Sequence, residues 1–192
     1  MTTNDNLMTV LDQNLQYMNR KLCLFIAMSL DGFIAKDDDD ISFLNQVELE
    51  GEDYGYSEFI NTVDTIILGR KTYDKVLSMR VESLYGGRQV FVITRTPRPD
   101  SGKTVFFSGK LTDLVLKLKN QPGQNIYCDG GAETISHLLQ ENLIDEMTVS
   151  VIPVLLGDGI RLFGYKFPEQ KLQLVKSQSF EKGLVQLHYV RI

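Results

Sequence analysis

The chain has no tryptophan, and only two histidines and two cysteines among its 192 residues. It also lacks a cluster of basic residues, an internal repeat, and any apolar run approaching the ~20 residues a membrane span requires. Each absence narrows what the protein can do. Cys23 and Cys128 both fall in apolar, strand-like runs, so they read as small buried hydrophobes rather than a disulfide or a nucleophile. His137 and His188 have no clustered partners, which leaves no metal motif, and the four aspartates Asp37 to Asp40 fail the calcium-loop register because Ile41 and Ser42 stand where an oxygen ligand and the turn glycine are needed. A net charge of -5 without basic runs argues against nucleic acid or an anionic membrane as the main partner, so any phosphate binding must be local. The N-terminus has no basic-then-apolar signal, and a cytoplasmic location is expected.

What is present is a set of strand ends that meet helix starts. The stretch Asn125 to Phe163 reads as strand, double-glycine turn, helix, strand and glycine loop. Ile126, Tyr127 and Cys128 predict a short buried strand that enters Gly130 and Gly131, where glycine lets the backbone turn tightly while its N–H groups stay open to a ligand. Apolar Ile135, Leu138, Leu139 and Leu143 then recur at helical spacing. Upstream, the strand in TIILGRKTYDKV ends at Leu68 and passes through Gly69 and Arg70 into a helix, with the Thr72 hydroxyl in its first turn. A third strand, QVFVITRT, ends in Thr94 and Arg95. Ligands in open α/β sheets gather at the carboxyl ends of strands, and three such ends carrying hydroxyls and guanidinium groups suit a nucleotide with several phosphates.

Along the rest of the chain, residues 1–20 form an appendage in which Leu7, Val10, Leu11, Leu15 and Met18 suit a peripheral helix. Residues 21–192 form a single domain. It opens with a buried strand in LCLFIAMSLDGFIA that breaks at Asp31 and Gly32, where Asp31 is expected to bond local backbone N–H groups. Helical stretches follow between Phe43 and Thr62, a second amphipathic helix spans Lys110 to Lys119, and the C-terminal third alternates as antiparallel strands. The predicted fold class is α/β: three αβα layers around a mixed, mostly parallel sheet that ends in antiparallel strands.

MSLDGFIA, LGRKTYD, DGGAETI and PVLLGDGIRLF, in that order and spacing, resemble the reductase domain of bacterial riboflavin biosynthesis, the RibD C-terminal domain family, with its dihydrofolate reductase-like fold. The resemblance covers Lys21 to Ile192 and implies an NADPH site, hydride transfer to a small substrate, and a homodimer with a contact around PVLL and Leu162-Phe163. It implies that Ala27 and Ile34 line the nicotinamide. Gly69, Arg70, Lys71 and Thr72, with Thr94 and Arg95, would hold the adenosine 2′-phosphate side, and Gly130, Gly131, Ala132 and Glu133 would meet the pyrophosphate. Two departures stand out: Phe33 occupies a place that is commonly basic, and Asp129 replaces a glutamate before the double glycine. The substrate implied is a ribosylaminopyrimidine such as 5-amino-6-(5-phosphoribosylamino)uracil, with Asp129 as candidate acid. A pterin reductase is the alternative. There Asp53 would be the carboxylate and Gly87-Arg88 would hold the arginine for a folate tail, although the missing tryptophan departs from that enzyme's nicotinamide loop. A non-enzymatic NADPH-binding protein is the remaining alternative.

Overall fold

The computed structural model describes residues 20–79, 85–164 and 166–192. The helix expected within residues 1–20 lies almost entirely outside these. Ten strands and four α-helices make up the described chain: β1 Leu22–Ser29, β2 Phe33–Ala35, α1 Tyr56–Ile60, β3 Val63–Gly69, α2 Arg70–Ser78, β4 Gln89–Ile93, β5 Thr104–Phe107, α3 Leu111–Lys119, β6 Asn125–Gly130, α4 Ala132–Gln140, β7 Glu146–Ile152, β8 Ile160–Arg161, β9 Leu172–Ser179 and β10 Val185–Arg191. The main sheet runs β5-β4-β3-β6-β1-β7-β10-β9. Its first six strands are parallel, and β10 and then β9 are added antiparallel, as the sequence pattern predicts.

Alternation along the strands builds the two larger of three apolar cores, one on each face. Ile67, Leu24, Ile126 and Cys128 face α3 and α4, where they meet Leu114, Val115, Ile135 and Leu138. Ile66, Leu68, Val92 and Tyr127 point the other way, toward Ile60, Tyr56 and Phe59 of α1 and Tyr73 and Val76 of α2. Ile66, Ile67, Ile135 and Leu138 are fully buried, and each such burial stabilises the fold by about 1.5–3 kcal/mol. Leu143 is also buried, but it lies past the end of α4, because the helix stops at Gln140 and Asn142 takes a positive φ of 53°. Cys23 and Cys128 are buried and unpaired, and burial pushes both thiols up to about 12.

β2 and β8 pair with each other outside the main sheet and sit over its edge at the end of β1. Gly159 lies so close to the Ala35 carbonyl that a Cβ there would collide with it, and its φ of 135° suits glycine alone. The Asp31 carboxylate ties this arrangement down. It accepts the Ser29 hydroxyl at 2.5 Å and the backbone N–H groups of Leu156 at 3.1 Å and Gly157 at 2.7 Å. Its partners are therefore largely distant in sequence rather than local, which corrects the expectation of a local turn. The supposed dimer pair Leu162-Phe163 divides as well: Leu162 is a core residue with no exposed surface, and Phe163 is partly exposed.

Candidate active site

Because six strands are parallel, β1, β3, β4, β6 and β7 all end on one edge of the sheet, and the strand ends at Gly69, Thr94 and Gly130 lie there. The Gly69 turn and the Gly130-Gly131 turn face each other, since β3 and β6 are hydrogen-bonded neighbours. A Cβ added to Gly69 would lie 3.1 Å from Thr134 Oγ1, and one added to Gly131 would lie 3.0 Å from Thr72 Oγ1. Either contact is tighter than an ordinary Cβ contact, so a side chain at either place would require the opposite hydroxyl to give by a few tenths of an ångström. The Gly130–Gly131 peptide is cis. The N-termini of α2 and α4 thus sit side by side, with the hydroxyls of Thr72 and Thr134 between them, a layout whose charge suits an anion.

The other expected phosphate contacts divide. Arg95 reaches toward Glu133 at 3.9 Å, and both side chains are more than 90% exposed. Arg70 bonds Asp74 one turn along α2 at 2.7 Å. Thr94 is buried, and its hydroxyl closes a local turn, donating to the Thr96 carbonyl at 3.0 Å and accepting the Thr96 N–H at 3.1 Å. Lys71 is exposed on α2, while Ala132 begins α4. Ala27 packs against the cluster of Phe43, Ile152 and Leu184, whereas Ile34 packs on the α3 and α4 side, so the two do not share one apolar cluster. Phe33 is buried beneath the Arg161 guanidinium, which lies 4.4 Å from its ring centroid. A cation therefore stands over Phe33, supplied from β8.

Asp129, the last residue before the double glycine, carries the most distinctive environment. Tyr127 Oη donates to one carboxylate oxygen at 2.6 Å and Tyr85 Oη to the other at 2.5 Å. Burial raises the Asp129 pKa above its ordinary value, and the two phenol donors only partly offset this. Burial and the adjoining carboxylate raise both phenols in turn, so they remain neutral donors. The Tyr56 hydroxyl, buried near the same carboxylate and pushed up to about 12, has no hydrogen-bond partner. Phe25 stacks on Phe59 at 4.8 Å, and Phe59 meets Tyr127 edge-on at 5.0 Å, which closes the aromatic wall around these groups. None of the three tyrosines was singled out by sequence as a site residue. The spacing of Tyr127 and Asp129 at i, i+2 would have placed them on one face, but Tyr85 and Tyr56 come from other elements and carry no local signal.

Asp53 is differently placed. It is exposed, and its carboxylate accepts the backbone N–H groups of Gly55 and Ser57, both at 2.9 Å, where it fixes the approach to α1. Bonds from Ser57 and Gly55 lower its pKa, so it is ionised at neutral pH. Arg88 does not reach for a ligand tail: its guanidinium donates to the carbonyls of Val63, Ile60 and Tyr85 at 2.9, 2.8 and 3.2 Å. These bonds use three of the five guanidinium N–H donors. Among the described residues, no helix is long and apolar enough to cross a membrane.

Comparison with known proteins agrees with this fold. The family model described as the RibD C-terminal domain matches residues 20–186, and the chain belongs to that family. An uncharacterized Bacillus subtilis protein, YwjB, is 43% identical over 175 residues, covering 91% of this chain and 99% of that one. A Shewanella sp. PV-4 crystal structure, described as a candidate riboflavin biosynthesis protein, superimposes with a TM-score of 0.82 at 33% identity, covering 90% of this chain and 99% of that one. Dihydrofolate reductase from Enterococcus faecalis, solved with NADP(H), shares the fold with a TM-score of 0.60 at 18% identity, covering 89% and 96%.

Proposed function

We propose that this protein is an NADPH-dependent oxidoreductase that reduces the open imine form of a ribosylaminopyrimidine, of the 5-amino-6-(5-phosphoribosylamino)uracil type. One observation carries the reading: two glycine turns, each opening a helix, are packed against each other at the carboxyl edge of a parallel sheet, one residue from a carboxyl group of raised pKa. Gly69, Thr72, Gly130, Gly131 and Ala132 would hold the diphosphate, with Lys71 and Glu133 at its margins. Arg70 and Arg95 would hold the 2′-phosphate beside Thr94, and Ala27 and Ile34 would border the nicotinamide. NADPH bound there supplies the hydride.

The chain's own contribution is positioning and proton delivery. Asp129 holds a proton at its carboxyl group and gives it to the imine nitrogen as the carbon is reduced, so C=N becomes CH–NH. Tyr127 and Tyr85 then bond both oxygens of the carboxylate that remains, and water returns the proton. Alignment of reactants on such a scaffold can supply up to ~7–11 kcal/mol of the barrier reduction. Asp53, ionised and tied to α1, supplies no proton in this scheme. The protein acts in the cytoplasm, as a homodimer.

The test is NADPH oxidation, followed by absorbance, with ribosylaminopyrimidine phosphate, dihydrofolate and small pterin or carbonyl compounds. Turnover of the ribosylaminopyrimidine but not of dihydrofolate is expected. Binding of NADPH without oxidation by any of them would leave a non-enzymatic NADPH-binding protein as the better description.

A further inference from the structure

Asp74, in the second turn of α2, holds two arginines at once. Its Oδ2 accepts from Arg70 Nη1 at 2.7 Å, and its Oδ1 accepts from Arg98 Nη1 at 3.2 Å. Arg98 comes from the loop after β4, the strand beside β3, so two neighbouring strand ends each bring a guanidinium to one carboxylate. Arg98 is also braced from below. Its guanidinium carbon lies 5.6 Å from the Phe106 ring centroid, and Phe106 meets Tyr73 edge-on at 5.6 Å. Arg95 has no such support: its side chain is 96% exposed, with Glu133 at 3.9 Å as its ion-pair partner among the described residues.

We propose that Arg98 is a specificity-determining residue that contacts the 2′-phosphate of the dinucleotide together with Arg70, an inference that rests on the NADPH reading above. A guanidinium has five N–H donors, and each of these two gives one to Asp74. Two cations around one carboxylate leave a net positive charge with donors remaining for the three acceptor oxygens of a phosphomonoester. Arg98 is already fixed by Asp74 and Phe106, so it loses less freedom on binding than Arg95 does. A ribose hydroxyl offers no charge for the same groups to recognise. Arg98 therefore discriminates between the two dinucleotides more strongly than Arg95.

Calorimetric binding of NADPH, NADH and adenosine 2′,5′-bisphosphate to the whole chain and to Arg98→Ala, Arg98→Lys and Arg95→Ala tests this. Arg98→Ala should weaken NADPH and the bisphosphate by about 10–100-fold and NADH by less than about 3-fold. Arg98→Lys should fall between, since it keeps the charge and loses the fork, and Arg95→Ala should change the NADPH-to-NADH ratio less than Arg98→Ala. If Arg98→Ala melts like the unmutated chain and leaves the ratio unchanged, the proposal is overturned while the NADPH reading stands. If Arg98→Ala does not fold, a ratio unchanged by Arg98→Lys overturns it instead. If the unmutated chain binds neither dinucleotide, the NADPH reading falls and this inference with it.

Discussion

Tyr127 donates its phenolic hydrogen to Asp129 at 2.6 Å from two positions earlier on the same strand. Strand alternation puts the two side chains on one face, and Tyr85 completes the pair of donors from the turn before β4. The carboxyl group is thus held in place in both protonation states, while burial favours the protonated one.

Asp129→Asn keeps the size and one acceptor oxygen but cannot deliver a proton. Turnover of the ribosylaminopyrimidine should fall by about 10²–10⁴-fold, with little change in NADPH affinity. Asp53→Asn should leave turnover close to that of the unmutated protein. Steady-state rates and cofactor titrations on the two variants check this. Full activity in Asp129→Asn would remove Asp129 from the mechanism.

The same carboxyl group makes stability depend on pH in a defined direction. Its folded pKa lies above the ordinary 3.8, so in the window between the two values the folded state binds more protons than the unfolded one. Stability then falls as pH rises through that window. The penalty is absent below about pH 4 and complete above the folded pKa. Urea midpoints should therefore favour Asp129→Asn over the unmutated protein at pH 8 by more than at pH 4. A difference that shrinks as pH rises would contradict the raised pKa.

Two exposed leucines flank the site at the carboxyl edge. Leu30 is 63% exposed and Leu155 69% exposed, and the Leu30 N–H donates to the Val154 carbonyl at 2.9 Å, which binds their loops together. A second copy covering this face would remove both from water. Light scattering at micromolar concentration should give about twice 21.8 kDa, and Leu155→Lys should shift the mass toward the monomer. A mass near 21.8 kDa for the unmutated chain would exclude the homodimer.

The parts of this fold that were legible in sequence are those set by local chemistry. The break at Asp31-Gly32, the strand entering Gly130-Gly131, and the helix Leu111–Lys119 each follow from residues within a few positions of one another. Partners brought together by sheet order were not legible. Tyr85 meets Asp129 across 44 positions, Arg98 meets Asp74 across 24, and Arg88 caps carbonyls of α1 and β3 up to 28 positions away. No periodicity in the chain encodes that β6 lies between β3 and β1, and that order decides which side chains surround Asp129. Arg88 shows the converse: a Gly-Arg pair at a suggestive spacing reads as a ligand contact in sequence, and in the fold three of its donors meet backbone carbonyls that the sequence does not point to.

Asp31 gives the most direct reading of such a distant contact. Its pKa is lowered to about 2, first by the Ser29 hydroxyl and then by the backbone N–H groups of Gly157 and Leu156, all of which bond the ionised form. A depressed carboxylate contributes stability that is present above its unfolded value near 3.8 and is lost as pH falls through about 2. The amide chemical shifts of Leu156 and Gly157 should therefore titrate together with a midpoint near 2, because protonation of Asp31 withdraws the acceptor from both. Asp31→Ala should abolish that titration and speed hydrogen exchange at the same two amides. The Phe33–Arg161 pairing of β2 with β8 should loosen with them, since the carboxylate, beside the Leu30 N–H bond to the Val154 carbonyl, joins the β1–β2 turn to the loop that leads into β8. A midpoint near 3.8, or unchanged exchange in Asp31→Ala, would mean that the two loops are held by their backbone bonds and the strand pairing without the carboxylate.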